Sequence, residues 1–277
     1  MKVSLIQNNP GNDKTANLAE VRRLIEEAVR LDRPDLIVLP EVFDWMGGGG
    51  PEKVAATEPS SGGPSYSLCQ GLARTHRVWI HAGSIREQVP GDERFANTTV
   101  VFNRDGAEVA RYSKIHMFDI KGPDGFDYRE SAQCKPGDDI VVYDCEGVTI
   151  GCAICYDIRF PELFQALARR GAKIIVLPAA FTLQTGQDHW EVLCRARAIE
   201  TETFFLAVGQ TGSYPQGKER RSLYGNSLVC DPWGHVIARA SNGVGFVSAR
   251  LDLDRVDQVR AQIPVGEHKV VGVRIPG

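Results

Sequence analysis

Three side chains able to do covalent chemistry stand where apolar runs of the chain end. Glu41 follows Leu36-Ile37-Val38-Leu39 and Pro40. In open α/β sheets, sites form beyond the carboxyl ends of strands. Burial at such an apolar rim raises a carboxylate's pKa toward the range useful for a base. Cys155 ends the run from Val148 to Ile154, and Tyr156-Asp157-Ile158-Arg159-Phe160-Pro161 follows, with Pro161 suited to open a helix. A thiol on a sharp strand-to-helix turn is exposed, and the backbone N–H groups after it can point at an oxyanion. This is the logic of the nucleophile elbow, with sulfur in place of oxygen. Lys114 lies in the segment Arg111–Asp119. If the two halves of the chain pack face to face, its ammonium reaches the same rim and can stabilise an oxyanion. Taken singly, each residue also has a bland reading: a strand-end carboxylate, a core thiol, a loop lysine. The polar, turn-forming flank of Cys155 argues against the core thiol.

Other motifs carry less. Cys152 and Cys155 form a C-x-x-C pair. Read as lying in one strand, they point to opposite faces and can neither bridge nor share a metal. Gly212–Glu219 imitates a phosphate-binding loop, but Glu219 replaces the hydroxyl that would hold magnesium, and no helical pattern follows. Asn97-Thr98-Thr99 is a glycosylation sequon, irrelevant without secretion. The six histidines show no ligand spacing. His116 or His189 could partner Cys155 in a Cys–His peptidase, though nothing local supports that.

The elements around these residues repeat. Asp35-Leu36-Ile37-Val38-Leu39-Pro40 resembles Lys173-Ile174-Ile175-Val176-Leu177-Pro178. Each follows an amphipathic helical stretch, Leu18–Leu31 in one half and Pro161–Arg170 in the other. Residues 98–111 also match 226–239 at a constant spacing of 128, both reading as a strand, an Asp/Asn…Gly turn and a second strand. Between these markers lie Ser65–His76 and Val78–Ile85 in the first half, and His189–Thr203 and Phe204–Gly209 in the second. Each half therefore reads strand, helix, strand, helix, strand, hairpin. The fold class is α/β with two mixed sheets packed face to face and helices outside. The runs Gly47–Gly50 and Pro59–Ser65 read as loops beside Glu41, and loops near a site often serve it.

Composition bounds the rest. With 277 residues, 43% hydrophobic and 24% charged, the chain can bury about three quarters of its unfolded surface without metal or disulfide. A net charge of −3 with no basic stripe gives nucleic acid no footing. The densest basic cluster, Lys218, Arg220 and Arg221, reads equally as a solvated turn or as an attractor for a substrate carboxylate. The N-terminus lacks an apolar signal core, and no apolar run approaches the roughly 18 residues of a membrane span. Seven scattered cysteines suit a reducing cytosol, so the expected setting is cytoplasmic, with no membrane partner.

Together these residues resemble the nitrilase superfamily, the carbon–nitrogen hydrolases, over nearly the whole chain. The likeness rests on Leu39-Pro40-Glu41, on Lys114-Ile115-His116-Met117-Phe118-Asp119, on Cys155-Tyr156-Asp157-Ile158-Arg159-Phe160-Pro161-Glu162, and on Glu130-Ser131 with Pro136-Gly137. Thr185–Glu191, Arg195–Glu200 and Tyr224–Gly234 add a likeness to the Nit amidase group. Lys121–Arg129 is more charged than that group's pattern, and the Gly47–Gly50 run is unusual in it. The resemblance implies a four-layer α-β-β-α sandwich with a pseudo-twofold repeat, one domain over 1–277, and assembly as a homodimer or higher homo-oligomer. Residues 264–277 are candidates for oligomer contacts. It implies a catalytic set of Glu41, Lys114 and Cys155, with Glu130 holding Lys114 or the substrate amide and the Tyr156 backbone N–H at the oxyanion. No cofactor or metal is expected. Phe181, Thr185 and Gly186 follow the second repeated strand and should border the pocket. The implied reaction is hydrolysis of a small carboxylate-bearing amide to acid and ammonia through a thioester. Nitrilase or N-carbamoyl hydrolase chemistry with the same triad stays open, as does a non-catalytic binding protein on the same scaffold.

Overall fold

The computed structural model describes residues 1–121, 127–216 and 219–270. Strand β1 (Lys2–Gln7) leads to helix α1 (Lys14–Asp32), whose first turn is capped by Asp13 accepting from the Ala16 N–H at 3.0 Å. Val21, Leu24, Ile25 and Ala28 recur every three or four residues and turn one stripe of α1 onto the sheet. The chain leaves α1 through Arg33 in a left-handed cap and enters β2 (Leu36–Val38). Helices α2 (Gly50–Ala55) and α3 (Pro64–His76) precede β3 (Trp79–His81), β4 (Ile85–Gln88), β5 (Phe95–Phe102) and β6 (Glu108–Ser113). Short strands β7 (Asp119–Lys121), β8 (Asp127–Arg129) and β9 (Cys134–Lys135) lead into the second half. That half runs β10 (Val142–Cys145), β11 (Val148–Cys152), α4 (Pro161–Arg169), β12 (Ile174–Ala179), α5 (Leu183–Thr185), α6 (Glu191–Thr201), β13 (Phe204–Gly209) and two hairpins. These are β14 (Thr211–Gln216) with β15 (Glu219–Tyr224), and β16 (Leu228–Cys230) with β17 (Val236–Arg239). Strand β18 (Gly245–Arg250) and helices α7 (Asp254–Gln262) and α8 (Val265–His268) follow.

Both large sheets share one plan. In the first, β1, β2 and β3 run parallel, β18 lies antiparallel on β1, and β5 and β6 extend the other side antiparallel. In the second, β11, β12 and β13 run parallel, with β10 antiparallel on one side and β16 and β17 on the other. Val3, Leu5, Leu36 and Val38 of one sheet meet Ile150, Ile174, Val176 and Leu206 of the other in a shared core. Each such fully buried side chain contributes roughly 2 kcal/mol. Helices α1 and α3 cover the outer face of the first sheet, and α4 and α6 that of the second. The result is the four-layer α-β-β-α sandwich.

The repeat extends below the level of elements. The two hairpins carry a β-bulge at corresponding steps, Val101/Phe102 and Val229/Cys230, 128 residues apart. In their turns the side chains of Asn103 and Asp231 each accept two backbone N–H bonds, from Asp105 and Ala107 and from Trp233 and His235. Both turns close with a left-handed glycine, Gly106 and Gly234.

Several expectations need correction. Val78–Ile85 is not one strand: β3 ends at His81, Gly83 turns at φ +47°, and β4 starts at Ile85. Cys155 lies beyond β11 rather than within it, so the separation of Cys152 and Cys155 comes from a turn and not from strand alternation. Gly50 opens α2 instead of closing a loop. The imitation phosphate loop is the β14–β15 hairpin, with residues 217–218 outside the described part. Of residues 264–277, the candidates for oligomer contacts, Val265–His268 form the helical turn α8, and 271–277 lie outside the described part, as do 122–126 of the charged segment. Strand β18 has no counterpart in the sequence reading; it ties the later chain to β1. Among the described residues, no helix is long and apolar enough to cross a membrane.

Gly83 fixes where the Glu41 strand end can lie. A Cβ there would stand 2.0 Å from the Pro40 carbonyl oxygen, and the backbone is left-handed. Gly83→Ala is expected to destabilise the fold by roughly 2–3 kcal/mol, through overpacking and strain, in chemical denaturation. A change under about 0.5 kcal/mol, the usual range of a surface substitution, would show that this approach is not tight.

Candidate active site

Four segments converge where the two sheets' strand ends meet. Glu41 follows β2 and Leu39-Pro40, and the chain then turns through Val42 at φ +44°. Its carboxylate is buried. Oε1 accepts from Asn97 Nδ2 at 2.9 Å and from Lys114 Nζ at 3.2 Å; Oε2 accepts from the Ala180 N–H at 2.9 Å. Gln210 holds the Glu41 backbone carbonyl at 2.5 Å. Ala180 follows the second repeated strand, so the two Leu-Pro ends meet at this carboxylate.

Lys114 follows β6, its backbone N–H bonded to the Asn97 carbonyl at 2.9 Å. Its side chain is 2% exposed and donates to both oxygens of Glu130, at 3.0 and 2.9 Å, as well as to Glu41. Burial by itself would lower this ammonium's pKa, but Glu130, Glu41 and Cys155 hold it well above the ordinary lysine value. Glu130 Oε2 also accepts from the Phe118 N–H at 2.6 Å, which ties this segment to the one after Lys114.

Cys155 begins a 3₁₀ turn at φ +48°, directly before α4. A left-handed non-glycine residue is uncommon and marks a turn held by its surroundings. Asp157 does the holding. Fully buried, it accepts from the Ile154 N–H at 2.8 Å, the Tyr112 hydroxyl at 2.7 Å, and the His116 N–H and Nδ1 at 3.0 and 2.7 Å. One carboxylate thus pins the cysteine turn to the strand and segment that carry Lys114. The Cys155 thiol is pushed well above its ordinary pKa, first by burial and then by the charge of Glu41, to which it also hydrogen-bonds; Lys114 and the Ala180 N–H pull it back without cancelling the rise.

These groups face one cavity of about 980 Å³ including its open mouth. Glu41, Lys114, Glu130, Cys155 and Tyr156 line it, as do the expected Phe181 and Thr185. Gly186 does not: it is buried and packs so closely on Tyr224 that a Cβ would fall 2.2 Å from that side chain. His116 stacks on Phe160 at 3.8 Å, His189 meets Arg159 at 3.2 Å, and neither is among the lining residues. The sequence reading missed Asn97, set aside as a sequon, along with Lys53, Arg86, Phe95 and Tyr214 on the wall. Asn97 stands immediately before the repeated hairpin, which was the available signal. Arg221, from the basic cluster, reaches the cavity; Arg220 is exposed and bonds to Ser213, and Lys218 lies outside the described residues.

A thiol beside a carboxylate, a fixed ammonium and the first N–H groups of a helical turn is equipped for acyl transfer. Comparison with known proteins agrees in kind. The sequence model of the carbon-nitrogen hydrolase family matches residues 2–261. The deaminated glutathione amidase of Synechocystis sp. (strain PCC 6803 / GT-S) is 40% identical over 259 residues, 92% of this chain and 93% of that one. The NitFhit protein of C. elegans superposes with a TM-score of 0.89 at 36% identity, covering 97% of this chain and 64% of that longer one. Nit3 of Saccharomyces cerevisiae, a member of branch 10 of the nitrilase superfamily, gives 0.86 at 29% identity, covering 97% and 96%.

All seven cysteines are free, and burial pushes Cys134, Cys145 and Cys230 up to about 12 and the other four up as well. An ultraviolet titration of the unliganded protein should therefore show no thiolate step below the free-thiol value of about 8.5. A step near neutral pH that disappears in Cys155→Ala would mean instead a resting thiolate–lysine pair.

Proposed function

This chain belongs to the carbon–nitrogen hydrolase family, and from that premise we propose that it hydrolyses a small carboxylate-bearing amide through a thioester on Cys155. The enzyme is an amidase. The observation that carries the mechanism is the buried array of Glu41, Lys114 and Glu130 against the Cys155 thiol. In this reading Glu41 takes the thiol proton as sulfur attacks the amide carbon. A base is needed because the resting thiol is protonated. Lys114 and the Tyr156 backbone N–H stabilise the oxyanion. Glu41 passes the proton to the leaving nitrogen, which departs as ammonia from a primary amide. Water, deprotonated by Glu41, then splits the thioester into acid and free thiol. Glu130 fixes Lys114 through both its oxygens. Arg159 and Arg221 on the cavity wall supply charge for the substrate carboxylate, with Phe181 and Thr185 bordering it. Deaminated glutathione, named for the Synechocystis relative, belongs to this substrate class.

The chain is read as one catalytic domain in a cytoplasmic setting, which its seven free thiols favour. Exposed Val192 and Ile199 on α6 are read as a face for a second copy of the chain, with residues 264–277 adding contacts. Sedimentation should give a dimer or larger, reduced toward the monomer in Val192→Glu/Ile199→Glu. A wild-type monomer would remove this reading.

The deciding experiment measures ammonia or amine release from deaminated glutathione, ω-amides of keto acids, carbamoyl amino acids and nitriles. Release from carboxylate-bearing amides is expected. Cys155→Ala should lose at least about a thousandfold, Glu41→Gln about a hundredfold or more, and Lys114→Met a similar factor. Release confined to nitriles or carbamoyl compounds would keep the triad and overturn the substrate. Full activity in Cys155→Ala would overturn the mechanism.

A further inference from the structure

The turn that carries Glu41 is held by side chains. Residues 41–44 are buried, and Val42 sits at φ +44°. A β-branched residue is an outlier at positive φ and stays there only where its surroundings over-determine it. Each of the turn's four carbonyls accepts from a side-chain amide. Asn8 Nδ2 donates to Phe43 at 2.8 Å and Asn17 Nδ2 to Asp44 at 2.9 Å. Gln210 Nε2 donates to both Glu41, at 2.5 Å, and Val42, at 3.1 Å. Ser84 Oγ accepts from the Val42 N–H at 3.0 Å. Of these side chains only that of Gln210 belongs to the second half of the chain, directly after β13.

Gln210 is fully buried and is not among the residues lining the cavity, so it does not reach the substrate. Its Oε1 accepts no hydrogen bond among the described residues. Buried polar atoms are ordinarily paired, so what this residue supplies is the two hydrogens on its nitrogen. The opposite amide orientation would set that oxygen against two carbonyls. The backbone of Gln210 is itself fixed: its N–H donates to the Ala179 carbonyl at 2.9 Å, and its carbonyl accepts from the Gly225 N–H at 2.9 Å. Ala180, the residue after Ala179, holds the Glu41 carboxylate at Oε2. The ends of β12 and β13 thus grip Glu41 at both its side chain and its main chain.

We propose that Gln210 is a positioning residue: its amide holds the left-handed turn at Val42 and so aims the Glu41 carboxylate at the Cys155 thiol. The role rests on Glu41 acting as the base. Without those two hydrogen bonds Val42 relaxes, and the carboxylate moves with its backbone. A misplacement of about 1 Å can cost about a hundredfold in rate. The test compares wild type, Gln210→Met, Glu41→Gln and the double variant on whichever amide the wild type turns over fastest. Gln210→Met should lose about tenfold to a hundredfold in kcat, with KM within about twofold. In the Glu41→Gln background the same substitution should change kcat by less than about twofold, because groups that act as a unit are not additive. Gln210→Glu, kept neutral by burial, retains one donor and should fall between wild type and Gln210→Met. It keeps the volume of the native side chain and carries the same comparison if Gln210→Met does not fold. An unchanged kcat in the Gln210 variants, or an equal loss with and without Glu41, overturns the positioning role and leaves the base in place. A wild-type rate in Glu41→Gln alone removes the base reading and the positioning role with it.

Discussion

An ammonium group with 2% exposure lies between two carboxylates, and the rest of the architecture has to satisfy it. Removing a single charge from water costs several kcal/mol, and leaving one partner out of a buried pair costs about 3–5 kcal/mol. Lys114 therefore tolerates little displacement of Glu41 or Glu130. Those residues stand 73 and 16 positions from it in the chain, so the constraint acts between segments that only the packed sheets bring together. Glu41 in turn leans on Asn97 and on the Ala180 N–H, and Glu130 on the Phe118 N–H. The array holds two negative charges and one positive, with a thiol against its negative side. A proton leaving that thiol has an acceptor in place.

The duplicated sandwich explains why such an array sits here. Each half delivers a parallel strand ending in Leu-Pro, and face-to-face packing brings the two ends to one seam. The halves then diverge where chemistry is needed. The first half provides Glu41 after its proline; the second provides the Ala180 N–H that holds Glu41. The cysteine turn belongs to the second half, yet Asp157 fastens it to Tyr112 and His116 of the first. Site and interface between sheets are thus one structure, and a change that loosens the seam loosens the Cys155 turn.

Electrostatics divides the cavity. Near Cys155, burial and the Glu41 carboxylate push the thiol's pKa up; farther along the wall stand the cations Lys53, Arg86, Arg159 and Arg221. A substrate with an uncharged carbonyl and a charged far end suits that gradient. The aromatic rings of Phe95, Phe181 and Tyr214 supply apolar wall between the charges.

Much of this was written locally in the chain. Apolar runs and period-3.6 patterns identified the central strands and the four helices that cover the sheets, and the match at a spacing of 128 marked the two hairpins down to their turn residues. Glu41 and Cys155 stood out because each directly follows an apolar run, a feature carried by a handful of neighbours. The failures were not local in cause: Gly83 breaks one apparent strand because of its approach to Pro40, which no neighbour in sequence reveals. Gly186 looked like a pocket residue from its place after β12, but the packing of Tyr224 turns it away. Asn97, Lys53 and Arg86 acquire their places on the cavity wall only through residues tens of positions away. The chain alone determined the periodicities and the strand-end chemistry, because those depend on adjacent residues. Only the tertiary structure decided which charges are paired, buried or left facing the cavity, because those depend on distances and on exclusion of water, which packing sets.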